Sequence, residues 1–182
     1  MTVMHPCDDV SASVLTQQCL ELSGPSYMRT ARNKTPVIHA EREAELQIGK
    51  GVLLKQGSDV ALIACGVLVS KSLEAAAELE NAGISACVID MHTIKPLDTK
   101  LLDDIVVDTG CVVTAEDHSI IGGLGGAVAE HLSSSTPVPL ERVGVKDRFG
   151  ESGQAEEMLN LLNINTADII EAAKRAIERK NR

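Results

Sequence analysis

The sequence predicts an α/β fold: a three-layer domain with a mostly parallel five-stranded sheet, one antiparallel edge strand and helices on both faces. Three observations carry this expectation. From residue 58 onward, short apolar runs alternate with amphipathic stretches. The runs begin near residues 59, 86 and 111, about 25 residues apart, which is the length of a strand, a helix and two short loops. They are apolar at consecutive positions, as expected of strands covered on both faces.

Each element has its own local reason. Residues 2 to 4 suit a short strand, and Asp8 or Asp9 suits the N-cap of a helix with Val14, Leu15 and Leu22 as its apolar positions, ended by Gly24-Pro25. Residues 26 to 30 form a second strand, making one βαβ unit that is too small to hold a core of its own. The stretch 35 to 47, with Pro36 and the charged run Glu41-Arg-Glu-Ala-Glu45, reads as a linker. Residues 51 to 56 form a strand separated from the next, 59 to 65, by Gly57 and Ser58 alone, which predicts an antiparallel hairpin at a sheet edge. A helix over 67 to 82 presents Val69, Leu73, Ala76, Ala77 and Leu79 and stops at Gly83. After the strand at 86 to 91, Pro96 breaks the chain and Asp98 caps a helix whose stripe is Leu101, Leu102, Ile105 and Val106, stopped by Gly110. The strand 111 to 115 delivers Glu116, Asp117 and His118 to a glycine-rich turn that opens a helix over 124 to 132. A strand over 140 to 145 and helices over 154 to 162 and 167 to 179 complete the chain.

Composition narrows the function. A chain of 182 residues, 44% of them hydrophobic, supports one good core plus a fragment. Tyr27 and Phe149 are its only aromatic residues, so base-stacking platforms are excluded. The net charge of -9 argues against a nucleic-acid partner. Residues 1 to 57 hold six basic and six acidic side chains of the 17 and 26 in the chain, so the remaining 11 and 20 put the whole excess after residue 57. Compositionally different pieces therefore meet near Gly49 to Gly57. Cys7, Cys19, Cys65, Cys87 and Cys111 include no C-x-x-C pair and read as reduced, buried small hydrophobes of a cytoplasmic protein. No apolar run approaches the roughly 18 residues of a membrane span, and residues 1 to 6 do not resemble a secretory signal.

Three groups of residues could carry chemistry. Gly122-Gly-Leu-Gly-Gly126, between a strand and a helix, fits either an anion cradle at a helix N-terminus or a tightly packed turn. The G-x-G-x-x-G spacing is absent, which favours the turn. His118 beside Glu116 and Asp117 invites an acid/base reading. Neighbouring residues on a strand point to opposite faces, which favours a structural or interface role. Arg29 and Arg32, on or just past the Tyr27 strand, have planar donor forks that suit a phosphate; the alternative is a solvated or salt-bridged pair near Glu41 to Glu45. There is no G-x-S-x-G elbow and no metal-binding signature, so neither a catalytic residue nor a metal ligand is expected within the chain.

At this point the sequence resembles a family. Tyr27-Met-Arg-Thr-Ala-Arg32, Val88-Ile-Asp-Met-His-Thr-Ile-Lys-Pro-Leu-Asp98, Val113-Thr-Ala-Glu-Asp-His-Ser-Ile-Ile-Gly-Gly-Leu-Gly125 and Gly144-Val-Lys-Asp-Arg-Phe-Gly-Glu-Ser-Gly153 together look like the C-terminal part of transketolase. The likeness runs in order from about Thr2 to Ala176. Lys95-Pro-Leu-Asp98 also occurs in deoxyxylulose-phosphate synthase and the beta subunits of 2-oxoacid dehydrogenases, whereas Asp147 to Gly153 favours transketolase, particularly its form split into two polypeptides.

The resemblance implies thiamine-diphosphate-dependent transfer of two-carbon ketol units between sugar phosphates, the chemistry of the pentose phosphate pathway. It implies that residues 1–36 end a pyrimidine-binding domain, 37–50 link, and 51–182 form the C-terminal α/β domain. It also implies a homodimer and an N-terminal transketolase subunit or domain as partner. Thiamine diphosphate and magnesium would be bound by that partner, because the Gly-Asp-Gly loop of the family is absent here and the activating glutamate and substrate-contacting histidines would lie before Met1. Arg32 resembles a position that contacts the substrate phosphate. On this expectation the chain is inactive alone. The alternatives are a stand-alone anion-binding or regulatory module built on Gly122 to Gly126, or a piece of one of the two related enzymes.

Overall fold

The computed structural model describes all 182 residues. The main sheet comprises β3 (Val52–Lys55), β4 (Val60–Ala64), β5 (Ala86–Asp90), β7 (Val112–Ser119) and β8 (Leu140–Val145), in the order β3-β5-β4-β7-β8. The pairs β4–β5, β4–β7 and β7–β8 are parallel, and β3 runs antiparallel along β5. Every residue of β4 and β5 is buried. Successive side chains of β4 enter different cores: Val60, Leu62 and Ala64 one, Ala61 and Ile63 the other.

Helices cover both faces, as the sequence predicts. On the first face pack α2 (Leu68–Asn81) and α6 (Thr166–Lys180), through Leu68, Val69, Ala76, Leu79, Ile169 and Ala173. On the second pack α3 (Thr99–Thr109) and α4 (Leu124–Ser134), through Leu102, Val106, Leu124 and Val128. A short α5 (Ala155–Leu161) precedes α6. The predicted stops hold where the backbone requires glycine: Gly110 ends α3 at φ 65°, in the left-handed region.

The expected hairpin is corrected. β3 lies at the edge and runs antiparallel to its neighbours, but β5 separates it from β4. The Gly57-Ser58 connection instead crosses the start of β5, where a Cβ on Gly57 would overlap the backbone of Ala86 and Cys87. The N–H groups of Ser58 and Asp59 both donate to the Ser85 carbonyl, at 3.1 and 2.8 Å, and the Ser85 N–H returns a bond to the Asp59 carboxylate at 2.7 Å.

The leading segment supplies β1 (Thr2–Met4), α1 (Asp9–Cys19) and β2 (Ser26–Met28). These strands pair in parallel, and a short strand that the sequence reading missed, β6 (Thr93–Lys95), pairs antiparallel with β1 to give the order β2-β1-β6. Asp8 caps α1, its Oδ1 accepting from the Ser11 N–H at 2.8 Å while Ser11 Oγ accepts from the Asp8 N–H at 3.1 Å. Its other oxygen accepts from the Ile38 and His39 N–H groups at 2.7 and 2.8 Å. Burial opposes the charge, yet the bonds from Ser11, His39 and Ile38 hold Asp8 below the usual carboxylate range. Residues 37 to 50 form irregular chain with one 3₁₀ turn at Glu43–Glu45, stitched to α1 by Gln18, which donates to the Leu46 carbonyl at 2.8 Å and accepts from the Ile48 N–H at 2.9 Å.

All five cysteines are free thiols, and Cys19 alone is only partly buried. No helix is long and apolar enough to cross a membrane.

Candidate functional site

The loop that leaves β2 runs along a cleft of about 460 Å³ whose far wall is the start of α2 and of α5. Its basic side chains are Arg29, Arg32, Lys34 and Lys71, and its acidic ones Asp117, Glu74 and Glu156. Arg29 is paired: its guanidinium donates from Nη1 and Nη2 to the two oxygens of Asp117, at 3.1 and 2.8 Å. Such a fork-to-carboxylate pair fixes the arginine as well as neutralising it. Lys71 lies 3.1 Å from Glu156 and 3.6 Å from Glu74. Arg32 and Lys34 are exposed and form no ion pair. Two cations of the cleft are thus used internally, and two are available to a ligand.

This corrects the alternative pairing of Arg29 and Arg32 with Glu41 to Glu45. The carboxylate on Arg29 is Asp117, and Glu45 pairs with Arg42 at 3.3 Å. Arg29 and Asp117 are 88 residues apart, and no local pattern announces that contact.

The strand β7 separates its three polar residues as alternation demands. Asp117 faces Arg29 and the buried His5, whose Nδ1 is 3.7 Å away. Burial lowers the pKa of His5, with Asp117 opposing. Glu116 turns the other way and is buried at the N-terminus of α4, where its oxygens accept from the N–H groups of Leu124 and Gly125 at 2.7 and 2.8 Å. The anion position allowed at Gly122 to Gly126 is therefore filled by the chain's own carboxylate. The glycines are required by the approach: a Cβ on Gly123 would overlap the Glu116 carboxylate, and one on Gly125 would lie 2.8 Å from Thr114 Oγ1. Burial pushes the pKa of Glu116 up, against these two N–H groups. His118 is exposed, its Nδ1 2.8 Å from the Ser119 carbonyl oxygen and 3.9 Å from the nearer Glu116 oxygen. Its ring is not held by a carboxylate as an acid/base imidazole would be.

The residues present do not make a thiamine site by themselves. Tyr27, one of the two aromatic side chains, borders a cleft of only about 120 Å³, and Phe149 is 96% exposed. The chain offers no Gly-Asp-Gly loop for a metal-bound diphosphate.

Comparison with known proteins agrees with the architecture and extends it. The chain is 42% identical over 181 residues to the 6-deoxy-6-sulfo-D-fructose transketolase subunit SqwH of Clostridium sp. (strain MSTE9), covering 100% of this chain and 56% of that protein. It is 37% identical to 1-deoxy-D-xylulose-5-phosphate synthase 1 of Geobacter sulfurreducens, over 96% of this chain and 28% of the enzyme. A solved structure described as a split gene transketolase, inactive beta4 tetramer, superposes with a TM-score of 0.93 at 40% identity, covering 99% of this chain and 58% of that one. The chain spans about half the length of two curated relatives it matches, 56% and 55%. The family model described as transketolase, C-terminal domain, matches residues 49–169. On the sheet order, the capped β7–α4 turn and these matches together, the chain belongs to the transketolase family and carries its C-terminal domain.

Proposed function

We propose that this chain is the C-terminal part of a thiamine-diphosphate-dependent enzyme that transfers two-carbon ketol units between sugars bearing a terminal anion, and that it supplies the anchor for that anion. The observation that carries the reading is the contrast between Arg29, saturated by Asp117, and Arg32, exposed without a carboxylate in the same cleft. A cation already paired must surrender its partner to bind a ligand; Arg32 loses only water. Its planar fork matches a phosphate or a sulfonate, and Lys34 adds a second charge. Arg29 acts as a fixed wall that keeps Asp117 from neutralising Arg32.

In this reading residues 1–36 end a pyrimidine-binding domain, 37–50 link, and 51–182 form the C-terminal domain. Thiamine diphosphate and magnesium are held by the N-terminal partner, and the cofactor, when bound, carries the ketol unit. The chain associates with itself, as a homodimer or as the beta4 tetramer described for the split-gene relative. Alone it is inactive, and it works in the cytoplasm.

The test is steady-state kinetics of the enzyme reconstituted with the N-terminal partner. Arg32→Ala raises the KM for phosphorylated or sulfonated sugars about thirtyfold, from loss of roughly 2 kcal/mol of charge-assisted hydrogen bonding, and leaves the KM of the neutral sugars unchanged. An unchanged KM for the anionic substrates removes Arg32 from the site. The likeness to 1-deoxy-D-xylulose-5-phosphate synthase supports a second reading. Formation of 1-deoxy-D-xylulose 5-phosphate by the reconstituted enzyme would select it.

A further inference from the structure

Away from this cleft, three chain segments bring a thiol, an imidazole and a carboxylate to one buried point. Cys7 follows β1, His39 lies in the irregular segment after β2, and Asp90 closes β5. All three are buried, His39 and Asp90 completely. The Cys7 sulfur is 3.4 Å from Asp90 Oδ2, His39 Nε2 is 2.8 Å from the same oxygen, and the three atoms lie within 4.8 Å of one another.

Hydrogen bonding alone does not complete this cluster. Asp90 Oδ1 and His39 Nδ1 are buried with no partner, and such atoms are uncommon in folded proteins. Asp90 has no lysine or arginine partner; its one ion-pairing neighbour is His39. The carboxylate is therefore under-compensated for its depth. Access is not closed either. Cys7 borders a cleft of about 410 Å³ that also carries the carboxylates of Asp8 and Asp9 and only one basic side chain, Lys34.

We infer that Cys7, His39 and Asp90 form a binding site for a borderline divalent cation of the zinc type, with its fourth position open to the Asp8–Asp9 cleft. The chemistry of the donor set selects this class: a thiolate, an imidazole and a carboxylate are zinc ligands, whereas magnesium and calcium take oxygen. The geometry is close. Bond lengths of about 2.3 Å to sulfur and about 2.0 Å to nitrogen or oxygen place tetrahedral ligands about 3.3 to 3.5 Å apart. The observed Sγ–Oδ2 spacing of 3.4 Å already fits, the Nε2–Oδ2 spacing of 2.8 Å must open by about 0.5 Å, and Sγ and Nε2 lie within 4.8 Å of each other.

The proton balance is simple. Burial and the neighbouring Asp90 push the Cys7 thiol well up, so sulfur keeps its proton until a cation displaces it. Coordination forms a metal–sulfur bond and sends that proton to solvent. Nε2 coordinates as the neutral imidazole with the ring proton on the unpartnered Nδ1, and the thiol contributes one released proton per cation. The bound cation ties three separate segments together and supplies the positive charge that Asp90 lacks. Residues 30, 31 and 33 to 35, Lys34 among them, border both this cleft and that of Arg32, but Cys7, His39 and Asp90 line no part of the Arg32 cleft, and the metal readouts do not depend on the Arg32 reading.

The experiment uses the full chain, stripped with chelator and titrated with Zn²⁺ and, as a spectroscopic probe, with Co²⁺. Calorimetry finds one site per chain, and Co²⁺ gives a thiolate-to-metal charge-transfer band. Zn²⁺ at roughly one hundredfold above its Kd raises Tm by about 5 °C or more, while Mg²⁺ does not. X-ray absorption of the wild-type Co²⁺ complex shows one sulfur with nitrogen and oxygen ligands, a readout that needs no variant. Cys7→Ser and Asp90→Asn abolish the band, and Cys19→Ser, at the one partly buried thiol, leaves it intact. The inference is overturned by an absent band with no thermal shift, by a metal shell without sulfur or with two sulfurs, or by a band that follows Cys19 and not Cys7.

Discussion

The two halves of the molecule are held by different forces. After residue 51, a sheet buried on both faces alternates its side chains between two apolar cores, and polar bonds trim its ends. Before residue 51, Met4, Cys7, Leu15 and Leu46 are the fully buried apolar side chains, and the segment is located by polar stitches: Asp8 to Ser11, Ile38 and His39, and Gln18 to Leu46 and Ile48. Apolar cores are insensitive to direction and resist change by volume. Polar stitches are directional, and each is weak until one partner is removed. The α1 and 37 to 48 region should therefore open locally while the main sheet stays folded.

The largest effect expected breaks the stronger half. Ile63 is completely buried at the centre of the sheet, and Ile63→Ala should cost about 3 to 4 kcal/mol by loss of transfer energy and an unfilled cavity. Chemical denaturation should show the loss for the whole chain, with an unchanged m-value. Next comes Asp8→Ala, which removes the helix cap and leaves the N–H groups of the half-buried Ile38 and the buried His39 without acceptors. About 2 kcal/mol is expected, with hydrogen exchange accelerating first in residues 9 to 19 and 37 to 48. A loss spread evenly over the chain would erase the distinction drawn between the halves. Smaller still is Asp117→Asn, which weakens a half-exposed pair worth about 1 kcal/mol or less; its readout is a looser Arg29, seen as broadened guanidinium resonances.

Acid sharpens the same contrast. Asp8 has its folded pKa held below the ordinary aspartate value of 3.8, so its stabilisation is complete above that pH and disappears as pH falls through the lowered value. Glu116 has the opposite sign: its folded pKa lies above 4.5, so its contribution is full below 4.5 and is lost as pH rises through the raised value. Titration below pH 3.8 should thus release the α1 and 37 to 48 region before the main sheet, and Asp8→Asn should flatten that part of the stability profile.

Much of this architecture is legible in the sequence. The continuous runs of β4, β5 and β7 announce buried parallel strands, Asp8 and Asp98 announce their helices, and Gly110 announces an end, because each signal is local. What escaped is long-range. The Gly57-Ser58 connection is short enough for a hairpin, and only the approach of Gly57 to Ala86 shows that it crosses a third strand. β6 is three residues long and stops before Pro96, too short for any periodicity. Resemblance alone singles out Arg32, and the pairing that sets Arg29 apart from it, with Asp117 88 residues away, has no local signal. Cys7 reads as one more buried thiol until the fold sets it against His39 and Asp90.

The strand β1 carries a mechanical consequence. It is hydrogen-bonded on one side to β2 and on the other to β6, and the chain beyond it continues the lacing: the His5 N–H donates to the His92 carbonyl at 2.8 Å, and the Gly66 N–H to the His5 carbonyl at 3.1 Å. A hinge between the leading segment and the main sheet would have to tear these bonds together. The end of β2, where the Arg29 N–H donates to the Met4 carbonyl, and the start of α2 are therefore tied to one strand. On the proposed role of Arg32, the two walls that a ligand's charged end would meet hang from the same strand and move with it.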